Sequence, residues 1–258
     1  MSKTAVITGA TSGIGAAYAK RLAADGYDLI ITGRRKEIVQ KLADDLIKQH
    51  NVKVKVIIAE LSNDSDIQKV IDAMKAAENV DLLINNAGYS GDYEHFIDVK
   101  VADCEQVIKV HQIVPIRLIS AIVPEMVKRG SGAIINVSSG GAYLPLPGFA
   151  TYQASKAFLK MFSEDLYMEL KDKGIKVQAL CPGPTITDFY RDYTEETLKI
   201  FSRNFKLMSP VAVVDYSLKC IKKNKPICIP GFSYKAMCRL LPLMPRNLYY
   251  KMASRMMS

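Results

Sequence analysis

Apolar runs rich in β-branched residues recur along this chain at positions 5–8, 28–32, 54–59, 82–85, 133–137, 177–181 and 227–229, separated by helix-length segments. Runs such as Ala5-Val6-Ile7 and Leu29-Ile30-Ile31 are continuously apolar, the pattern of strands covered on both faces. Strands of this kind alternating with helices predict an α/β fold, a doubly wound parallel sheet in one domain. Two segments break the rhythm. Residues 188–210 carry Phe189, Tyr190, Tyr193, Phe201 and Phe205, and the tail beyond Gly231 mixes basic and apolar residues that Pro242 and Pro245 divide into short helical pieces. The expected layout is a catalytic domain over 1–232, with a lid at about 188–210, and a basic amphipathic helical extension of the same domain over 233–258.

Composition narrows the setting. The chain has 258 residues, 49% hydrophobic and 24% charged, enough for the core of one α/β domain. The N-terminus runs straight into Ala5-Val6-Ile7 without the order of a signal peptide, and no stretch reaches the ~20 uninterrupted apolar residues of a membrane span. Five scattered cysteines lack metal spacing and are odd in number, so no metal site is expected and the reducing cytoplasm fits best. A net charge of +9 admits nucleic acid, an anionic membrane surface or acidic ligands, but a basic surface alone explains it. With lysines spread along the chain and no nucleic-acid motif, nucleic acid is set aside.

The chemistry concentrates in three places. Tyr152 and Lys156 are four apart, so on a helix an ammonium sits beside a phenol and makes it ionise more readily; with Ser139 they read as a proton-transfer site for an alcohol or ketone oxygen. The first strand ends in Thr8-Gly9-Ala10-Thr11-Ser12-Gly13-Ile14-Gly15, a turn whose backbone N–H groups can approach a pyrophosphate at a helix N-terminus, the alternative being a tight loop. The second strand ends at Arg34-Arg35, where an NAD site places an acid; two arginines suit a 2′-phosphate, so NADP(H) is favoured over NAD(H), the alternative being solvated loop charges. Glu60-Leu61 closes the third strand, where an acid can meet the adenine amino group, and Asn85-Asn86-Ala87-Gly88 closes the fourth. Asn85 is expected to bond a neighbouring strand end.

Together these residues resemble the short-chain dehydrogenase/reductase superfamily, in its single-domain, Rossmann-like branch. The matching pieces are Thr8-Gly9-x3-Gly13-x-Gly15, Asn85-Asn86-Ala87-Gly88, Ser139 thirteen residues before Tyr152, Tyr152-x3-Lys156, and Pro182-Gly183 after the sixth strand. The resemblance implies that Tyr152 is the general acid in reduction and base in oxidation, that Lys156 lowers its pKa and binds the nicotinamide ribose, and that Ser139 bonds the substrate oxygen. It implies that Gly9, Ser12, Gly13, Ile14, Gly15, Arg34, Arg35, Glu60, Leu61, Asn86, Ala87 and Gly88 line the cofactor. Pro182, Gly183, Thr185 and Thr187 would hold its carboxamide and pyrophosphate. It further implies a homodimer or homotetramer.

Two departures stand out. His111 occupies the place of an asparagine that helps hold a proton-relaying water; the histidine can expose its carbonyl to that water, relay protons itself, or be a buried residue satisfied by neighbouring backbone. Glu60 replaces the usual aspartate and keeps an acceptor. The substrate is unnamed: an aromatic lid bearing Arg191, Lys199, Arg203 and Lys206 would suit a lipophilic ketone, aldehyde or alcohol, although Phe201 and Phe205 can equally pack a lid helix. The rivals are a 3-oxoacyl thioester reductase and a catalytically silent NADP(H)-binding protein. The tail, with Lys235, Arg239, Arg246, Lys251 and Arg255, can lie on a membrane surface or cover a pocket or subunit contact, and the cover is favoured.

Overall fold

In the computed structural model, which describes residues 2–90, 95–187 and 207–256, the strands are β1 (Thr4–Ile7), β2 (Asp28–Gly33), β3 (Val54–Ile58), β4 (Leu82–Asn85), β5 (Gly132–Val137), β6 (Ile175–Leu180) and β7 (Ile227–Cys228). They form one parallel sheet in the order β3-β2-β1-β4-β5-β6-β7. Chain direction across the sheet reverses between β1 and β4, and a crevice opens at the strands' C-terminal ends there.

The helices are α1 (Gly13–Ala24), α2 (Lys36–His50), α3 (Asp64–Lys75), α4 (Val101–Ile108), α5 (Val114–Arg129), α6 (Ala150–Leu170), α7 (Pro210–Lys222), α8 (Phe232–Leu240) and α9 (Arg246–Met256). Period-two sorting of the strands builds two cores. Ala5, Ile7, Leu29, Ile31 and Ile84 face α1, α2 and α7, while Val6, Ile30, Leu83 and Ile134 face α3, α5 and α6. Fully buried Leu22, Leu46, Ile67 and Leu118 anchor the layers, each worth about 1.5–3 kcal/mol of apolar burial. A polar chain ties α1 to the far half of the sheet: the Tyr18 hydroxyl donates to Ser217 Oγ at 2.6 Å, and Ser217 donates to Gln178 Oε1 at 2.6 Å.

One interruption matters for the site. Between α4 and α5, Lys109–Ile113 forms a π-turn in which the N–H of Val114 bonds the carbonyl of Lys109. Pro115 explains it, because it has no N–H to give to the carbonyl of His111 four residues back and its ring crowds that carbonyl. The continuous helix 101–129 is long and apolar enough to cross a membrane by length and composition. Its Leu118, Ile119, Ile122 and Met126 are nevertheless packed in the sheet's core.

Candidate functional site

The crevice at the reversal point holds a cleft of about 580 Å³, within the range of small-molecule and cofactor sites. Every predicted site residue among the described ones lines it except Gly15 and His111. Gly9 and Gly13 adopt left-handed φ of 68° and 56°, so the turn after β1 is one that glycine makes at little cost. It is pinned from β4: the Asn86 amide Nδ2 donates to the carbonyls of Thr8 and Gly9 at 3.0 Å, and Thr8 Oγ1 accepts from the N–H groups of Asn86 and Ala87 at 3.0 Å. Gly15 lies behind the turn, where a Cβ would meet the Gly9 carbonyl oxygen at 2.2 Å. Its role is close packing of α1 on β1 rather than contact with a ligand. Asn85 is structural as expected, donating to Asn136 Oδ1 at 2.8 Å, and Asn136 in turn donates to Ser163 Oγ at 2.9 Å.

On the side of β2, Arg34 Nη1 lies 3.3 Å from Glu60 Oε2, with its guanidinium 5.9 Å from the Tyr89 ring centre. Arg35 Nη2 donates to Thr11 Oγ1 at 3.1 Å. Both arginines therefore gather at the rim beside the glycine turn, where an anion would be seated. On the opposite wall, Thr185 Oγ1 donates to the Gly183 carbonyl at 2.9 Å, and residues 184–186 pair with Met208. A Cβ at Gly13 would lie 2.8 Å from the Thr187 methyl, so the turn and this wall enclose the same space. The lid residues Phe189, Tyr190, Arg191, Tyr193, Lys199, Phe201, Arg203, Phe205 and Lys206 lie outside the described residues.

Ser139, Tyr152 and Lys156 converge from two elements. Ser139 follows β5 and caps the short turn at Gly140–Ala142, its Oγ accepting the N–H of Gly141 at 3.0 Å, which leaves its O–H to donate elsewhere. Tyr152 and Lys156 sit one turn apart on α6, with Nζ 5.7 Å from the centre of the phenol ring. Lys156 is only 4% exposed, and its ammonium donates to the Val137 carbonyl at 3.0 Å. Burial lowers its pKa to about 8. Ser138 Oγ donates to the Lys156 carbonyl at 2.7 Å and ties the end of β5 to α6.

His111 is where sequence reasoning left three alternatives, and its bonds favour the structural one. The Tyr89 N–H donates to Nε2 at 3.1 Å, so Nδ1 carries the proton and donates to Ser155 Oγ at 2.8 Å; Ser155 then donates to the Tyr152 carbonyl at 2.6 Å. Burial, with the Lys156 charge nearby, holds its pKa well below the usual value, so the ring is neutral. With both ring nitrogens bonded, the imidazole holds Tyr89 and Ser155 in place beside Tyr152. The ring packs edge-on to Tyr152 at 5.8 Å and lies behind Gly88, where a Cβ would meet Nε2 at 2.6 Å and Lys156 Nζ at 3.3 Å.

The cleft also contains residues that motif reading missed. Tyr234 and Met237 of α8 reach it from the C-terminal extension, and Leu144, Leu146 and Phe149 supply an apolar wall. A Cβ built on Gly183 would lie 3.0 Å from the Tyr234 ring, which places that phenol against Pro182-Gly183 and near Ser139. Tyr249 of α9 packs with Leu144 and donates from its hydroxyl to the Pro145 carbonyl at 2.9 Å. The inner face of the tail thus covers one side of the cleft. Only its mixed pattern signalled this, because no spacing in the sequence ties residue 234 to residue 183.

Comparison with known proteins agrees with this architecture. The family model for short chain dehydrogenases matches residues 3–198. A very-long-chain 3-oxoacyl-CoA reductase from Anas platyrhynchos is 39% identical over 181 residues, 69% of this chain and 58% of that protein, so the chain spans less than two-thirds of that relative's length. A short-chain dehydrogenase from Sphingobium yanoikuyae, solved with NADPH, superposes with a TM-score of 0.85 at 32% identity over 95% of this chain and 94% of that one. A bulky-bulky ketone specific alcohol dehydrogenase from Comamonas testosteroni does so with a TM-score of 0.81 at 30% identity, over 95% and 93%. The family match runs from the glycine turn through the Tyr152 helix and beyond β6, so the protein belongs to the short-chain dehydrogenase family.

Proposed function

We propose that the protein is an NADP(H)-dependent carbonyl reductase acting on a lipophilic ketone or aldehyde, or on the corresponding alcohol in reverse. The observation that carries this is the convergence of Ser139, Tyr152 and Lys156 on a cleft whose opposite wall is Pro182-Gly183 and whose remaining wall is apolar. The cleft fits a nicotinamide dinucleotide: the glycine turn has no Cβ to fill the space facing Thr187, and a buried ammonium has one N–H engaged with Val137 and two more to offer to ribose hydroxyls. The cofactor, when bound, supplies or accepts the hydride. Tyr152 then gives its phenolic proton to the oxygen that gains the electron pair, Ser139 donates a hydrogen bond to the same oxygen, and Lys156 keeps positive charge beside the phenol. At a pKa of about 8, Lys156 is mostly protonated near neutral pH.

The cofactor preference rests on Arg34 and Arg35 at the rim beside β2. Two guanidinium groups favour a 2′-phosphate through charge-assisted hydrogen bonds, and the acid at that end of the site, Glu60, is already paired with Arg34. NADPH consumption over a panel of bulky ketones, steroids and 3-oxoacyl thioesters, with Tyr152→Phe as control, tests the reading. Turnover by the parent protein should fall ~10²–10⁴-fold in Tyr152→Phe with NADPH binding retained. Equal turnover by both would overturn it.

A second reading, a reductase of 3-oxoacyl thioesters, is favoured by the relative from Anas platyrhynchos, whose name states that activity. A silent NADP(H)-binding protein is disfavoured, because cofactor binding alone gives no reason for Ser139 and the Tyr152 phenol to line the same cleft beside the Lys156 ammonium. Five free thiols, four of them buried, suit a reducing cytoplasm. A homodimer or homotetramer is the expected assembly by family likeness.

A further inference from the structure

We infer that the outer face of the C-terminal extension is a docking surface for anionic lipid. Residues 216–258 contain nine lysines and arginines and no aspartate or glutamate, while the whole chain has a net charge of +9, so the first 215 residues are electrically balanced. Five of those nine, Lys235, Arg239, Arg246, Lys251 and Arg255, belong to the extension. The inner faces of α8 and α9 are already committed: Cys238 packs with Ala179, Cys181 and Ile229, and Tyr249 and Ala253 pack with Leu144. What remains outside is apolar as well as basic. Phe232 is 90% exposed, Leu243 78% and Leu240 64%, with Leu248 and Tyr250 also exposed.

That pairing selects the occupant. Large apolar side chains standing out among cations, in a stretch of chain that contains no acidic residue, match an anionic headgroup layer, into which the apolar groups sink while the basic groups stay at the surface. A second copy of the chain meeting this face symmetrically would bring like charges together. Nucleic acid would leave Phe232 and Leu243 unburied. The same extension carries Tyr234 and Met237 into the cleft, so docking would set this side of the cleft against the bilayer. That consequence rests on the reductase reading, whereas the docking does not.

The test is co-sedimentation of the full chain with phosphatidylcholine vesicles, with and without about one-third phosphatidylserine, at low and high salt. Binding should require phosphatidylserine and weaken with salt. Arg239→Gln with Arg246→Gln should lower the partition coefficient by roughly tenfold or more, since each basic residue near the surface is worth about fivefold. Phe232→Ser with Leu243→Ser should lower it several-fold, with an unchanged urea midpoint showing that the fold is intact. Lys41→Gln with Lys48→Gln, which removes two exposed charges of α2, should leave binding intact. Equal binding to both vesicle types, or equal loss in the α2 variant, would overturn the inference. So would a smaller mass for Phe232→Ser with Leu243→Ser in lipid-free light scattering, which would mark the face as a contact between copies.

Discussion

Lys156 is expected to cost the fold stability that Lys156→Met would return. The ammonium is 4% exposed, and desolvation lowers its pKa from 10.5 to about 8. Between these values the unfolded chain holds the proton and the folded chain does not, so stability rises with pH across that window, and below about pH 8 the whole burial cost is present. A shift of roughly 2.5 units corresponds to about 3 kcal/mol. Methionine keeps the stem volume but leaves the Val137 carbonyl without its donor, costing about 1 kcal/mol. Lys156→Met should therefore be more stable than the parent at pH 7 by about 2 kcal/mol. The gap should narrow as pH climbs from 8 towards 10.5. Urea unfolding at several pH values measures the difference directly, because titrating groups remote from Lys156 contribute equally to both proteins. NADPH affinity should fall at the same time, as expected where a functional group is held at the expense of stability. A variant less stable at pH 7, or a gap indifferent to pH, would refute the argument.

Three further outcomes follow from the geometry. Arg34→Glu should raise the KM for NADPH by about 10–100-fold and lower that for NADH, read as the ratio of kcat/KM for the two cofactors; an unchanged ratio would show that Arg34 does not meet the 2′-phosphate. His111 is held neutral with its folded pKa depressed, so its stabilising contribution is present above about pH 6.5 and is lost as pH falls, at up to about 1.4 kcal/mol per unit. Urea midpoints of the parent should drop between pH 7 and 5.5 more than those of His111→Gln, and parallel curves would contradict the assignment. Gly88→Ala should destabilise by about 1–3 kcal/mol and depress turnover, because its methyl would press His111 Nε2 and Lys156 Nζ; a thermal melt and steady-state kinetics measure both, and a silent variant would mean that the ring can move aside.

The sheet was legible in the sequence because burial on both faces leaves short continuous apolar runs rich in β-branched residues, spaced by helix-length segments, and each predicted run lies within a residue or two of its observed strand. The cofactor and proton-transfer residues were legible because they sit at strand ends and one helical turn apart, where local geometry fixes their relation. Asn85 could be assigned to structure in advance and is seen bonded to Asn136. What the sequence left open were relations between distant segments. Gly15 reads as part of the phosphate turn, but only the packing of α1 against the Gly9 carbonyl shows that it faces inward. His111 stood between relay and scaffold until Tyr89 N–H on one nitrogen and Ser155 on the other fixed its tautomer. Tyr234 reaches Gly183 in the cleft across fifty residues of intervening chain. A motif records spacing along the backbone, whereas hydrogen-bond partners and buried faces depend on which segments the sheet order brings together, and that is set only when the whole core packs.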